Sequence, residues 1–125
     1  MREIKFRAWI KPSYKSKGKG QMVDWDTIWS TWDVADLFGK VGTIPLEWTG
    51  LQDKNGKEIY EGDILDFGDY SIAKYGRCLH IVYWNDEDAG FNSREVGFQK
   101  LAGFGIDETG AVIGNIYENE ELLNG

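Results

Sequence analysis

The sequence predicts a mainly β fold, a small barrel-like or sandwich β domain with one or two short helices. Three observations predict it. Short runs of alternating apolar and polar residues recur along the chain, and turn signals built on Gly, Asn and Asp separate them at a spacing of roughly eight to twelve residues. The third is composition: 125 residues, 42% hydrophobic and 28% charged, with 16 glycines and 2 prolines, fit one soluble globular domain. A chain of this length buries about two-thirds of its unfolded surface, so no disulfide or structural metal is required. Cys78 is the only cysteine, which excludes an intramolecular disulfide, and one Cys with one His cannot complete a structural zinc site. A reducing, cytoplasmic location fits this usage. Met1-Arg2-Glu3-Ile4-Lys5-Phe6-Arg7 breaks every apolar run with charge, so neither a signal peptide nor a membrane span is expected.

The elements follow in order. Ile4, Phe6, Ala8 and Ile10 share one face, and Lys5, Arg7 and Trp9 the other, which is the period of a half-buried strand. Pro12 to Gly20 is polar and glycine-containing, an exposed hairpin loop, and Gln21 to Trp25 returns as a strand. Trp25, Ile28, Trp29, Trp32, Ala35, Asp36 and Phe38 fall at the three-to-four spacing of an amphipathic turn or short helix, with Asp24 or Asp26 to cap its start and Gly39 to end it. Ile44 to Trp48 reads as a strand whose Pro45 confines it to an edge or to its first residue. Asn55-Gly56 then marks a tight hairpin turn that tolerates positive φ angles. Glu61-Gly62-Asp63 bends the chain again, Ile64 to Phe67 is a strand closed by Gly68-Asp69, and Tyr70 to Lys74 follows. Cys78 to Trp84 carries apolar residues on both faces, as a central strand does. Asn85 to Gly90 is an acidic loop, Gly97 to Leu101 and Phe104 to Ile106 are short strands, and Ala111 to Tyr117 is the last strand, followed by a helical turn capped by Asn119 and docked by Leu122 and Leu123. The expected organisation is a single domain over 1–125: a basic hairpin 1–25, a Trp-rich connector 26–43, a β-rich module 44–118 and a closing turn 119–124.

Charge is segregated. Residues 1–20 hold seven Lys and Arg against one acid, a net +6, and the remainder holds seven against twenty, a net −13. An acidic protein is repelled by a phosphate backbone, so nucleic-acid contact would be confined to the basic start, where Lys11, Lys15, Lys17 and Lys19 meet phosphates and Trp9 or Tyr14 stacks a base.

No catalytic signature stands out. His80 and Cys78 share a strand face, but alternate residues lie about 7 Å apart, too far for the hydrogen bond of a nucleophile and its base. The carboxylates of Asp24, Asp26, Asp33 and Asp36, and of Glu58, Glu61, Asp63 and Asp66, are of the type that ligates magnesium or calcium, but neither cluster matches the EF-hand loop, and such clusters arise readily on the solvated face of a chain with 21 acids. Gly103-Phe104-Gly105 lacks the third glycine of a dinucleotide fingerprint, and Gly18-Lys19-Gly20 lacks the phosphate-loop spacing. No cofactor is expected. Six tryptophans, Trp9, Trp25, Trp29, Trp32, Trp48 and Trp84, exceed what a small domain buries, so some are expected at an interface.

Met1-Arg2-Glu3-Ile4-Lys5-Phe6-Arg7-Ala8-Trp9, the block Glu47 to Ile64 containing Gln52-Asp53-Lys54-Asn55-Gly56-Lys57-Glu58-Ile59-Tyr60-Glu61-Gly62-Asp63, and Val112-Ile113-Gly114-Asn115-Ile116-Tyr117-Glu118-Asn119 together resemble the YopX family, small proteins encoded by bacterial phages and prophages. The resemblance implies a β-rich fold, a phage genome context and oligomerisation, and it brings no assigned activity or catalytic residues. The chain departs from the family pattern in its Trp-rich residues 25 to 48 and in Glu120, where many members have proline.

The reading that follows is a non-enzymatic phage accessory protein that self-associates and binds a host or phage protein, with Trp9, Tyr14, Trp48, Asp53, Lys54 and Lys57 as its interaction residues. The alternatives are a weak single-stranded nucleic-acid binder using the basic hairpin, and a metal-dependent hydrolase using Asp63, Glu61 and His80.

Overall fold

The structure, a computed structural model, describes residues 3–13, 17–69, 77–96, 104–105 and 109–123. The chain folds as two compact units, Met1–Trp48 and Thr49–Gly125.

In the first unit, strand β1 (Phe6–Ile10) pairs antiparallel with β2 (Gln21–Val23) on one side and with the start of β3 (Thr43–Gln52) on the other. The expected apolar face of β1 is the one that meets the core: Ala8 is buried with Val23, Ile28 and Leu37, and Phe6, Ile10, Trp25 and Trp32 pack around them. Ile4, assigned to the same run, lies ahead of the strand and is exposed. Pro45 is neither at a sheet edge in the strand order nor at the first position of its strand, and the register explains why it is accepted. Trp48 N–H donates to the Lys5 carbonyl and Lys11 N–H to the Gly42 carbonyl, while Pro45 lies opposite Ala8. Hydrogen-bonded pairs alternate along an antiparallel ladder, so the Ala8–Pro45 pair is a non-bonded one and the missing N–H points away from β1.

Between β2 and β3 the single amphipathic segment expected from the sequence is two helices, α1 (Trp25–Thr31) and α2 (Val34–Phe38). The return strand stops at Val23, two residues earlier than its alternation suggests, because Asp24 accepts from Thr27 N–H and caps α1. The break falls at Trp32 and Asp33. Asp33 accepts from Asp36 N–H while the Asp36 carboxylate accepts from Asp33 N–H, a reciprocal capping box, and Gly39 ends α2 as expected.

The second unit continues from the end of β3 into β4 (Glu58–Tyr60), β5 (Asp63–Asp69), β6 (Arg77–Asn85), β7 (Gly90–Glu95), β8 (Phe104–Gly105), β9 (Ala111–Asn115) and a 3-10 turn, Glu120–Leu123. The two sheets are ordered β2-β1-β3-β4 and β8-β7-β6-β5-β9, so the fold is mainly β and β6 is central, as its two apolar faces predict. Ile59, Leu65 and Val82 are the buried centre of this unit, with Leu51, Phe67 and Val112 against them.

The Asn55-Gly56 hairpin turn joins β3 to β4 as expected, with Gly56 at φ +83°; among the described non-glycine residues only Lys17 and Ala89 have positive φ, so Asn55 is not left-handed. Gly56 N–H donates to the Asp53 carbonyl and Asp53 N–H to the Lys57 carbonyl, giving a wider loop in which one glycine follows a turn. Gly68 does not close β5 but lies within it, at φ +80° beside the register shift between Asp66 and Asp69, as a bulge. The last strand ends at Asn115, two residues short of Tyr117, because Asn115 starts a side-chain-bonded turn. The strands expected at Tyr70 to Lys74 and Gly97 to Leu101, and the Ile106 end of another, lie outside the described residues.

Candidate protein-binding surface

The first unit carries four aromatic rings in a row. Trp29 tilts against Trp25 with ring centroids 5.6 Å apart, Trp25 stands 6.4 Å from Phe6, and Phe6 meets Phe38 edge to face at 5.2 Å. The middle rings are half-buried on the core formed by β1 and the helices, whereas Trp29 is 77% exposed and Phe38 55% exposed. Val34, at the start of α2, and Val41, just beyond it, are 74% and 100% exposed. The local cause is helix length. In helices of seven and five residues the turns that bury Ile28 and Leu37 leave their neighbours outward, so the apolar stripe is wider than the surface available to cover it. Contiguous apolar surface of this kind is unusual on a monomer.

The residues expected at an interaction surface are distributed differently. Trp9 is buried, its indole lying over Gly20, where a Cβ would overlap the ring. Trp48 is half-buried with the Lys5 ammonium 4.7 Å above its ring. Tyr14 lies outside the described residues. Lys54 and Lys57 are exposed on the β3–β4 turn, and Asp53 beside them is buried. Trp29, Val34 and Phe38 were not singled out as interaction residues by sequence; the available signal was four large apolar residues, Trp25, Ile28, Trp29 and Trp32, crowded into a segment too short to bury them all.

Asp53 organises its turn. One carboxylate oxygen, Oδ1, accepts from Asn55 and Lys57 N–H at 2.8 Å each, and Oδ2 accepts from Val112 N–H at 2.8 Å. Burial pushes its carboxyl up, but the N–H donors of Val112, Lys57 and Asn55, joined by the Lys57 ammonium, outweigh that and hold it below its ordinary value of 3.8. The rest of the same block is built alike. Thr49 Oγ1 donates to the Ile59 carbonyl, Asp63 Oδ2 accepts from Tyr60 N–H at 2.8 Å, and Gly62 turns the chain at φ +85°. In the closing block Asn119 Oδ1 accepts from Asn115 N–H, while Asn115 Oδ1 accepts from Tyr117 and Glu118 N–H.

His80 has its Nδ1 3.0 Å from Ser93 Oγ and Phe67 edge-on to its ring, with centroids 4.9 Å apart. Cys78 lies on β6, and its side chain is outside the described set. Asp63, Glu61 and His80 are not brought together: among the described residues no group of three or more His, Cys, Asp or Glu side chains is placed to hold a metal ion. Among the same residues no helix is long and apolar enough to cross a membrane.

Among solved structures, the chain is similar to that of protein EF1440 from Enterococcus faecalis, with a TM-score of 0.58 and 25% sequence identity over 98% of this chain and 99% of that one. No curated protein matches the sequence. The YopX protein family model matches residues 5–124, nearly the whole length, taking in the second and third sequence blocks and the end of the first, and the chain therefore belongs to the YopX family.

Proposed function

We propose that this YopX family member is a non-enzymatic accessory protein of a phage or prophage, working in the cytoplasm of the bacterial host, and that it acts by protein–protein contact through the aromatic row of its first unit, with a second copy and with a host or phage protein. The observation that carries this reading is the row itself, whose two end rings, Trp29 and Phe38, are exposed while the middle two anchor it to the core. Interface hot spots are enriched in aromatic residues of this kind. Asp53, Asp63 and Asn119 of the family blocks accept backbone hydrogen bonds that hold turns, which is structural work.

The test is affinity capture from bacterial host lysate, with and without nuclease treatment, using the full chain and a Trp29→Ser, Val34→Ser variant. Both positions are solvent-facing, so the variant keeps its fold. A protein retained by the parent chain and lost by the variant is the expected result. Equal retention by both chains overturns the assignment of the row, and retention that vanishes on nuclease treatment replaces it with a nucleic-acid role.

A further inference from the structure

The helical segment presents its outward apolar residues as two ridges. Trp25 and Trp29 lie one turn apart on α1, and Val34 and Phe38 one turn apart on α2, so each pair shares a helix face. Phe6 of β1, half-buried, meets a ring of each ridge, Trp25 and Phe38. Charge around these residues has one sign. Asp24, Asp26, Asp33 and Asp36 are the charged residues between Gly20 and Gly39, with no Lys or Arg among them, and the first three are exposed. Asp26 is one turn before Trp29, and Asp33 immediately precedes Val34. Glu47 of β3 is the register partner of Phe6, which puts its side chain on the same face of the sheet. The neighbouring cations are turned away: Arg7 alternates with Phe6 and Ala8, and the Lys5 ammonium lies over Trp48, which alternates with Glu47. Lys40 is the first cation after the segment.

We infer that the α1–α2 face docks a cationic amphipathic helix of a different protein, whose aliphatic side chains lie on Trp29, Val34 and Phe38 and whose lysines or arginines meet Asp26 and Asp33. The inference rests on the proposed role of the aromatic row and names the chemistry of its occupant. Ridges of residues four apart are the surface into which the ridges of another helix pack, and an apolar helix face laid on such a surface is a recurrent mode of recognition. The exposed apolar side chains supply the affinity. The carboxylates select the sign of the partner, since they attract a cationic segment and repel nucleic acid, anionic lipid and acidic peptides from the same face.

The probe is a labelled synthetic peptide of leucine and lysine, about 15 residues long so that a helix can form, with its leucines at i, i+3, i+4 and i+7. Two controls accompany it, one with the same composition but leucines spread around the helix, the other with glutamate in place of lysine. Fluorescence anisotropy against the full chain is expected to give a dissociation constant on the order of 10 μM for the probe, at least tenfold tighter than for either control. Trp29→Ser with Val34→Ser is expected to weaken binding roughly 30-fold or more, the loss typical of a hot spot. Asp26→Lys with Ser30→Lys, exposed positions of α1 that cap neither end, is expected to weaken it about tenfold at low ionic strength, the gap closing in 1 M NaCl as the Debye length falls to about 3 Å. Circular dichroism checks that each variant keeps the parent fold, and Asp26→Asn, which removes one charge at constant size, gives an independent reading with an expected loss of roughly threefold. Equal binding of either control overturns the inference, as does binding indifferent to Trp29 and Val34. A dimer of the chain that the probe does not dissociate assigns the face to a second copy and overturns it too. Capture from lysate that depends on Trp29 and Val34 but is not competed by the probe overturns the cationic helix as occupant and keeps the row as a contact surface. No probe binding up to about 100 μM, together with no such capture, overturns both.

Discussion

Asp53 collects three backbone N–H groups on one carboxylate, and two of its donors, Asn55 and Lys57, lie in its own turn while the third, Val112, is 59 residues away. Replacing it by Asn puts an NH2 where an oxygen accepted, so at least one charge-assisted bond is lost. The expected cost is about 1.5–3 kcal/mol, read as a lower urea midpoint by circular dichroism, with Asp53→Ala costing more because every donor loses its acceptor. A carboxyl held below its ordinary 3.8 when folded binds fewer protons folded than unfolded. Its stabilisation is therefore complete above that value and lost as pH falls through it towards the lower folded pKa. Denaturation midpoints measured from pH 6 down to pH 2 should fall steeply for the parent chain and less steeply for Asp53→Asn. The three-dimensional role of Asp53 was not legible in the sequence, where a charged residue beside Asn-Gly reads as exposed turn chemistry, because the N–H that makes it structural arrives from β9. Gly20 is a similar case. A Cβ there would overlap the Trp9 indole, so Gly20→Ala is expected to destabilise the hairpin by about 1–3 kcal/mol, with the change visible in thermal melts and in tryptophan emission.

Short elements in this chain are held by side-chain hydrogen bonds more than by propensity. A five-residue helix is below the length at which a helix sustains itself, so α2 depends on its capping box and on Leu37 in the core. Asp33→Ala removes the cap at about 1 kcal/mol. Hydrogen exchange should quicken at Gly39 N–H, which donates to Ala35, while Trp32 N–H, which reports α1, keeps its protection. Equal acceleration of both would mean the two helices open together. The helical segment was legible from its spacing and from Asp24 and Gly39; the break was not, because Asp33 and Asp36 look like two more charges on a polar face until their reciprocal bonds are seen. Strand β7 escaped for the opposite reason. Phe91-Asn92-Ser93-Arg94-Glu95 has no apolar alternation, and its buried positions are polar: Asn92 Nδ2 donates to Asp88 Oδ2 at 3.0 Å, and Ser93 pairs with His80. Burial achieved through hydrogen bonds leaves no hydrophobic period to read. At β9, the side chains of Asp53 and Asn119 take Val112 and Asn115 N–H, occupying donors that an edge strand otherwise offers to another chain.

Across the whole molecule, the mainly β class and family membership were legible because both rest on turn residues and alternation, which are local. The proposed contact surface was not, since exposure of Trp29 and Phe38 depends on which few apolar residues win the limited core between β1 and the helices. The charge distribution bears directly on the competing nucleic-acid role. Residues 1–20 carry +6 and the other residues −13, so phosphates approaching the hairpin also feel the acidic remainder unless they stay beyond a Debye length, about 8 Å at physiological salt. Stacking is weakened too: Trp9 is covered by the hairpin's own Gly20, and the Trp48 ring is covered by Lys5. Lysines with neither of these two rings free beside them give only counterion release, a term that falls steeply with salt. Fluorescence anisotropy with labelled single-stranded DNA and RNA is therefore expected to stay flat at physiological salt up to roughly 100 μM protein, the weak end of non-specific binding. A dissociation constant near 10 μM or tighter that disappears in Lys11→Glu with Lys17→Glu would reverse the assignment, because those two lysines would then be serving phosphate.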